Sequence, residues 1–482
     1  SENKKVFLRI DSSCRMLTRI IIIGAGVSGL AAASKLLELG FHNIKILEAR
    51  DRVGGRINTI IDDGGIIELG AQWIHGEDNN VLFQIASELD AIKLPNIPTE
   101  FVNVFSFLNS GSMVEKDLHD CAKDLFHLIE NSIQEESKRV EGKSLWNFYK
   151  EKFEDFILNH PHLENHQSIM NSFLVWYDKY ESSISGSNNT SEISMKRFPE
   201  YLECPGNPLV NWKRGYETII QYFNNLLNED MILLNKEVLK IYWNDPSLEG
   251  VKIECTDGKS FMSDVVICSI PLGCLKQNSS GLFIPNLPSK TKLAIENLGY
   301  GVVDKIFLHF DTNWWPDNIN GFHLLWESEI GLESEIMKDN YWAKDIFGFY
   351  TVPSHPQVLC GWIQGQGAQQ MEIVDDKTIL EVCFELLIMF VGKTYTVSRP
   401  SHVTKSHWGT DPYSRGSYTF LSLESEITGI SPNDLATPLE DYMGQPKVVF
   451  AGEATHPRYF STVHGAIETG FRAATFIEDN FA

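Results

Sequence analysis

Between Arg19 and Asp51 the chain alternates apolar and glycine-rich stretches at short intervals. Ile20-Ile21-Ile22-Ile23 is a run of β-branched residues that predicts a buried strand, and Leu30 to Leu39, with Ala31-Ala32-Ala33, Leu36 and Leu37, predicts a helix. Gly24-Ala25-Gly26-Val27-Ser28-Gly29 therefore falls on a strand-to-helix turn, and Ile44, Ile46 and Leu47 predict a second strand that ends on Glu48. From 114 to 180 the apolar positions are spaced for helices, among them Leu118, Leu125, Leu128, Ile129, Leu145, Phe148 and Tyr149. Ser182 to Ser194 carries the Ser/Asn/Thr bias of a loop. After Met231 the period shortens: Val238 to Ile241 and Val251 to Ile253 predict short strands around a turn, and Asp264 to Cys268 a buried one. Alternation over Asp304 to Phe310 puts Ile306, Leu308 and Phe310 on one face of a strand and Lys305, Phe307 and His309 on the other. Near the C-terminus, Val448-Val449-Phe450 predicts a strand and Ala466 to Phe476 a helix.

A turn of this kind aims backbone N–H groups and a helix N-terminus at one point, which suits a pyrophosphate. Glu48 lies nineteen residues beyond Gly29, at a strand end, where a carboxylate accepts the ribose hydroxyls of an adenosine. Lys4, Lys5, Arg9, Arg15 and Arg19 ahead of Ile20 to Ala33 also resemble a signal peptide. The apolar stretch is too short to span a bilayer, and neither the glycine spacing nor Glu48 belongs to a leader. Arg50-Asp51-Arg52-Val53-Gly54-Gly55-Arg56 adds close backbone approach and phosphate donors.

The 482 residues, 43% hydrophobic, supply a large core and predict two domains. Forty-one basic against 64 acidic residues leave a net charge of −23, which disfavours nucleic acid and suits a cationic ligand. Eight cysteines are scattered without the spacing of a zinc site, so no metal is expected. Cys255 and Cys268 in apolar contexts read as buried thiols of a reducing compartment, which predicts a cytoplasmic protein; the sequons at Asn188, Asn189 and Asn278 keep a secreted form, its leader removed, as the alternative.

Four distant segments carry a more specific signal. Ile67-Glu68-Leu69-Gly70-Ala71-Gln72-Trp73-Ile74-His75-Gly76, Gly301 to Leu308, Val448 to His456 and Ser461-Thr462-Val463-His464-Gly465-Ala466 together resemble the flavin-containing amine oxidase family, and within it the polyamine and spermine oxidases. The resemblance implies a Rossmann-type α/β FAD-binding domain interleaved with an α+β substrate domain. FAD-binding parts would span 17–80, 231–295 and 446–482, and substrate-binding parts 81–230, largely helical, and 296–445. It implies FAD contacts at Gly24, Ala25, Gly26, Ser28, Gly29, Glu48, Arg56, Ala71, Gln72, Trp73, Val238, Trp408, Glu453, Thr462 and Val463. Lys305 would contact a water beside flavin N5 and serve reoxidation; a lysine among so many apolar residues needs a partner or must lose its proton. His75, Glu181, Ser183 and Thr462 would meet the substrate, with His75 also catalytic. In the segment from Trp408 to Tyr418, serine occupies the place where some monoamine oxidases carry a flavin-bonding cysteine, so the FAD is expected to be noncovalent.

The implied activity is oxidation of spermine, spermidine or their N1-acetyl forms at a secondary amine, with O2 as acceptor and hydrogen peroxide as product. An L-amino-acid oxidase, using Arg415 or Arg458 for the carboxylate, or a monoamine oxidase are alternatives, as is a flavin-binding protein without turnover. The expected partners are a polycationic small molecule and O2, with no nucleic acid and no membrane, in a monomer or weak homodimer.

Overall fold

The computed structural model describes residues 12–62, 64–96, 101–328, 331 and 334–481. Its first sheet has six strands in the order Leu439–Glu440, Pro446–Phe450, Val265–Cys268, Ile20–Ile23, Ile44–Leu47 and Ile232–Leu233. All neighbours run parallel except the outermost pair, Leu439–Glu440 with Pro446–Phe450. The isoleucine run is buried throughout because it sits inside this sheet, flanked by Val265–Cys268 and Ile44–Leu47. Ile20 and Ile22 pack under helices Val27–Glu38 and Val463–Phe481, while Ile21 and Ile23 face a second, four-stranded layer that contains Val238–Tyr242 and Val251–Cys255. Helix, parallel sheet and small sheet form three layers, and the ends of the central strands open toward Gly24, Glu48 and Gly452.

The other large sheet is mostly antiparallel, in the order His402–Lys405, Val303–His309, His355–Gln364, Gly348–Val352, Gly321–Leu325 and Val104–Leu108. Helix Asp376–Val391 packs on one face. Helices Lys116–Glu136, Leu145–Asn159 and Gln167–Ser185 form a second body with Leu108, Leu325 and Phe347. Strand Val303–His309 is buried on both faces, and its alternation is kept: Ile306, Leu308 and Phe310 enter the core beneath the long helix, whereas Phe307 joins Ile67, Val352, Val358 and Cys360.

Three local expectations differ from the structure. Helix Gln167–Ser185 runs through Glu181 and Ser183 and stops at Gly186, which takes the left-handed conformation at φ 78°, so the polar stretch from 182 begins inside a helix. The C-terminal helix starts at Val463 and ends at Phe481, longer at both ends than its apolar spacing suggests. Segments near 81–91 and 210–231 share the core of the parallel sheet through Leu82, Ala86, Ala91, Val210, Ile219 and Phe223, and strand Leu439–Glu440 joins that sheet too. Domain boundaries at 80, 230 and 445 thus cut across continuous packing.

Candidate active site

One cavity of about 1510 Å³ joins the two halves of the molecule, from the glycine turn to the helical body. At the nucleotide end, Gly24 has φ +101° and a Cβ there would meet Ser269 Oγ at 2.6 Å. A Cβ on Gly29 would meet Gly24 O at 2.0 Å, so this glycine lets the helix close on the strand. Gly26 is different: a Cβ there meets nothing within 4 Å, and the residue lines the cavity. It is also the N-cap of helix Val27–Glu38, without a side-chain cap, so the first helical N–H groups stand uncapped at the cavity wall beside Val27 and Ser28. Ala25 instead packs inward, fully buried.

Glu48 is 5% exposed, and each of its oxygens accepts one backbone N–H, from Ala25 at 2.7 Å and from Arg50 at 2.8 Å. One lone pair per oxygen is left for hydroxyl groups. Arg50 then anchors the 411–414 loop through Asp411 (2.6 Å) and Ser414 (2.9 Å). Arg56 donates to Glu453 (2.9 Å), Ser417 O (2.7 Å) and Tyr300 (3.2 Å); Glu453 also accepts from Thr419 Oγ1 and Ser461 N. Val238 and Val463 line the same cavity. Thr462 lines it as well, but its hydroxyl donates to Tyr459 O and accepts from Gly465 N, which makes it the cap of the last helix. An uncapped helix start facing open space, a glycine that leaves room there and a carboxylate with free lone pairs fit an adenosine diphosphate moiety.

Lys305 marks the middle of the cavity. It is 4% exposed, and Nζ donates to Glu68 O (2.9 Å), Gly70 O (2.7 Å) and Gln72 Oε1 (2.9 Å), with the Trp362 ring centroid 4.7 Å away. The three acceptors match the three protons of an ammonium. Burial nevertheless pulls the lysine down to about 8, against the opposing pull of Cys360 and Glu68. The Glu68 carboxyl goes the other way, to about 7, again by burial, although it accepts from Tyr216 N and Thr59 Oγ1. Trp408 holds the wall through Nε1 to Leu69 O (2.9 Å), and its N–H reaches the buried Asp304 (3.1 Å). Trp73 stacks on Trp362, centroids 5.8 Å apart and planes at 12°, and both rings line the cavity with Ala71 and Gln72.

His75 retains much surface, but that surface belongs to the cavity. Its Nδ1 lies 2.8 Å from Pro208 O, and a carbonyl only accepts, so Nδ1 carries the proton. Burial lowers its affinity for a second proton, so Nε2 is an acceptor at neutral pH. Glu181 and Ser183 are 8% and 5% exposed and also line the cavity. Glu181 accepts from Ser185 Oγ (2.6 Å); Ser183 donates to Tyr180 O (2.7 Å).

All the site residues expected from sequence line this one cavity except Ala25 and Gly29, which lie in the glycine turn behind it. Glu68, Trp362 and Tyr300 were not singled out by sequence. Glu68 sits inside the 67–76 segment, but its role depends on burial, and Trp362 is brought over Lys305 only by strand pairing. Among the described residues, Asp62, His309 and His355 form a group with metal-ligand chemistry, outside the sequence expectation because they come from distant strands. In it His355 Nε2 is already hydrogen-bonded to Asp62 Oδ1 at 2.8 Å.

Residues 27–477 match the family model of flavin-containing amine oxidoreductases. The chain belongs to that family. Among its relatives, the human peroxisomal N(1)-acetyl-spermine/spermidine oxidase is 30% identical over 95% of this chain and 94% of its own length. Polyamine oxidase 4 of Oryza sativa subsp. japonica is 30% identical over 96% and 89%, and probable polyamine oxidase 5 of Arabidopsis thaliana 28% over 95% and 97%. The glycine turn and the lysine-bearing strand come from distant parts of the chain and meet at one cavity. No helix among the described residues is long and apolar enough to cross a membrane.

Proposed function

We propose that the protein oxidises polyamines at a secondary amine to an imine, using noncovalent FAD and O2 and releasing hydrogen peroxide, and that water then hydrolyses the imine to a shorter amine and an aminoaldehyde. The observation that carries this reading is the continuity of the cavity. It joins a cradle suited to a diphosphate to a buried lysine beside Trp362, and then to a wall bearing Glu130, Glu181 and Glu203. Acids far from the lysine suit a long cation better than a short amine. The relatives named as polyamine and N(1)-acetyl-spermine/spermidine oxidases point the same way.

Bound FAD would supply the two-electron chemistry, taking the hydrogen and electron pair of an amine α-C–H bond and passing them to O2. The chain's own residues prepare that event. Gly26 and the uncapped helix start would hold the diphosphate, and Glu48 the ribose. Trp73 and Trp362, stacked on each other, wall this part of the cavity and exclude water, and the amine must lose its proton to free the lone pair that drives C–H cleavage. His75 Nε2 accepts an N–H of the substrate and fixes its register. Lys305 holds a proton at Nζ beside Gly70 and Gln72 and adds positive charge where negative charge develops.

Ser417 Oγ donates to Val303 O (2.9 Å) while Val303 N donates to it (2.8 Å), so the hydroxyl is engaged on both sides, which supports a noncovalent cofactor. Arg458 does not line this cavity, and Arg415 stands with Arg50, Arg56 and Asp411 around Cys274 at the nucleotide end. Neither is available to a carboxylate near Lys305, which disfavours an amino-acid oxidase. A peroxide assay comparing spermine, N1-acetylspermine, leucine and benzylamine tests the reading: it expects the polyamines to lead, and turnover of leucine or benzylamine alone would overturn it.

A further inference from the structure

Two acids that do not line the cavity meet in the dry interior behind its wall. Asp304, in strand Val303–His309, is fully buried, and Glu372 closes helix Gly365–Glu372 and is buried as well. Alternation along the strand turns Asp304 away from the cavity face that Lys305 occupies. Asp304 Oδ1 accepts from Ser406 Oγ (2.6 Å) and from the Trp408 N–H (3.1 Å). Glu372 takes the next two backbone N–H groups, Gly409 on Oε1 (2.7 Å) and Thr410 on Oε2 (2.6 Å). Three consecutive amides of one segment are thus divided between the two acids. Ser406 ties the same segment to the lysine: its hydroxyl accepts from Lys305 N (2.9 Å), and its N–H donates to Lys305 O (3.0 Å).

The remaining oxygen decides the protonation. Among the described residues no donor reaches Asp304 Oδ2, which is buried. What meets Asp304 there is the Glu372 carboxyl, in a side-chain hydrogen bond. Two ionised carboxylates have no hydrogen to place between them, and their charges repel strongly away from water. One proton removes both difficulties. Each Glu372 oxygen already faces an N–H donor, whereas Asp304 Oδ2 faces none, so the proton sits on Oδ2. Burial, with Glu372 adding to it, accordingly holds the Asp304 carboxyl well above the usual carboxylate range. We propose that Asp304 is a neutral carboxylic acid that donates from Oδ2 to the Glu372 carboxylate, and that this pair positions Trp408 and the Lys305 backbone against each other. Trp408 lines the cavity and donates through Nε1 to Leu69 O (2.9 Å), between the Lys305 acceptors Glu68 O and Gly70 O. The pair therefore sets where the aromatic wall stands relative to Nζ without touching cofactor or substrate. The shared proton is independent of the polyamine reading, and its effect on turnover rests on that reading.

The test starts with infrared spectroscopy of the FAD-loaded protein at about pH 8, where solvent-facing carboxyls are ionised. The wild type should show the carbonyl stretch of a buried carboxylic acid that shifts on isotopic labelling of aspartate and is lost in Asp304→Asn. Asparagine reproduces the neutral acid, because its carbonyl accepts from Ser406 and Trp408 while its amide N–H donates to Glu372. That variant should keep its flavin and lose no more than about 3-fold in kcat/KM for spermine. Asp304→Ala leaves the Trp408 N–H unpaired and Glu372 without its donor, and Glu372→Gln sets an amide N–H against one of two backbone donors. Each should cost about 10- to 100-fold in kcat/KM and alter the visible circular dichroism of the bound flavin. The proposal is overturned if no aspartic acid band is lost in Asp304→Asn, or if Glu372→Gln behaves as wild type while Asp304→Asn does not. If spermine fails to reduce the flavin but the band and the flavin dichroism follow this pattern, the pair stands and the polyamine reading fails.

Discussion

Replacing Lys305 with methionine removes a buried ammonium whose energetics can be read from its surroundings. Burial lowers Lys305 from 10.5 to about 8, because the three acceptors compensate only part of the lost hydration. The sign follows from proton counting. Below about pH 8 the lysine is protonated in both folded and unfolded chains, so its contribution does not vary. Between about pH 8 and about pH 10.5 the unfolded chain still binds the proton and the folded one does not, so stability rises with pH. Each pKa unit is worth about 1.4 kcal/mol, which gives a full effect of about 3 kcal/mol and about 2 kcal/mol between about pH 7.5 and about pH 9.5. Methionine does not titrate. The unfolding free energy of the wild type minus that of Lys305→Met, from urea titrations of the FAD-bound proteins, should therefore climb by about 2 kcal/mol over that range. Glu68, raised to about 7, stabilises the fold at low pH, and that contribution is lost as pH climbs from its unfolded value through 7, a lower window. A difference that stays flat, or falls, above about pH 8 would refute the placement of a strained, buried ammonium at this point.

Other outcomes follow from the nucleotide end and the substrate wall. Gly29→Ala forces a Cβ to 2.0 Å from Gly24 O and should lower the unfolding temperature of the apoprotein, whereas Gly26→Val, whose Cβ enters open space, should leave the apoprotein folded but unable to retain flavin; calorimetry and flavin content distinguish the two. Glu48→Ala should weaken FAD binding about 10- to 100-fold in a Kd measurement, since two backbone donors and the ribose lose their acceptor. His75→Ala should raise KM for spermine more than it lowers kcat, and kcat/KM of wild type and variant alike should rise with pH toward the substrate amine's pKa of roughly 10, because only the neutral amine reacts and His75 is already neutral.

Much of this arrangement was legible in the chain because local pattern and global fold agree. The isoleucine run, the glycine turn and Glu48 form a continuous unit whose geometry depends on neighbours in sequence, so strand, turn and acceptor are found where the pattern puts them. Lys305 was legible for a similar reason: alternation in Val303–His309 holds even though both faces are buried. What sequence conceals is produced by distant segments meeting. Trp362 reaches Lys305 through antiparallel pairing, and Tyr149 and Glu181 come together only by the packing of two helices. Glu181 and Ser183 looked like the edge of a polar loop because serine is common in loops; here the serines lie within a helix that persists because Trp176, Tyr177 and Phe173 bury its other positions. Thr462 shows the opposite limit, since its side chain is absorbed by capping.

The most direct test of the central claim is to mix the purified protein with spermine in the absence of oxygen and follow the visible absorbance of its flavin. The account predicts a yellow protein that bleaches on mixing, regains its colour when air is admitted and yields hydrogen peroxide in step with spermine consumed. A protein that takes up no FAD, or whose bound flavin keeps its colour through excess polyamine, would contradict it.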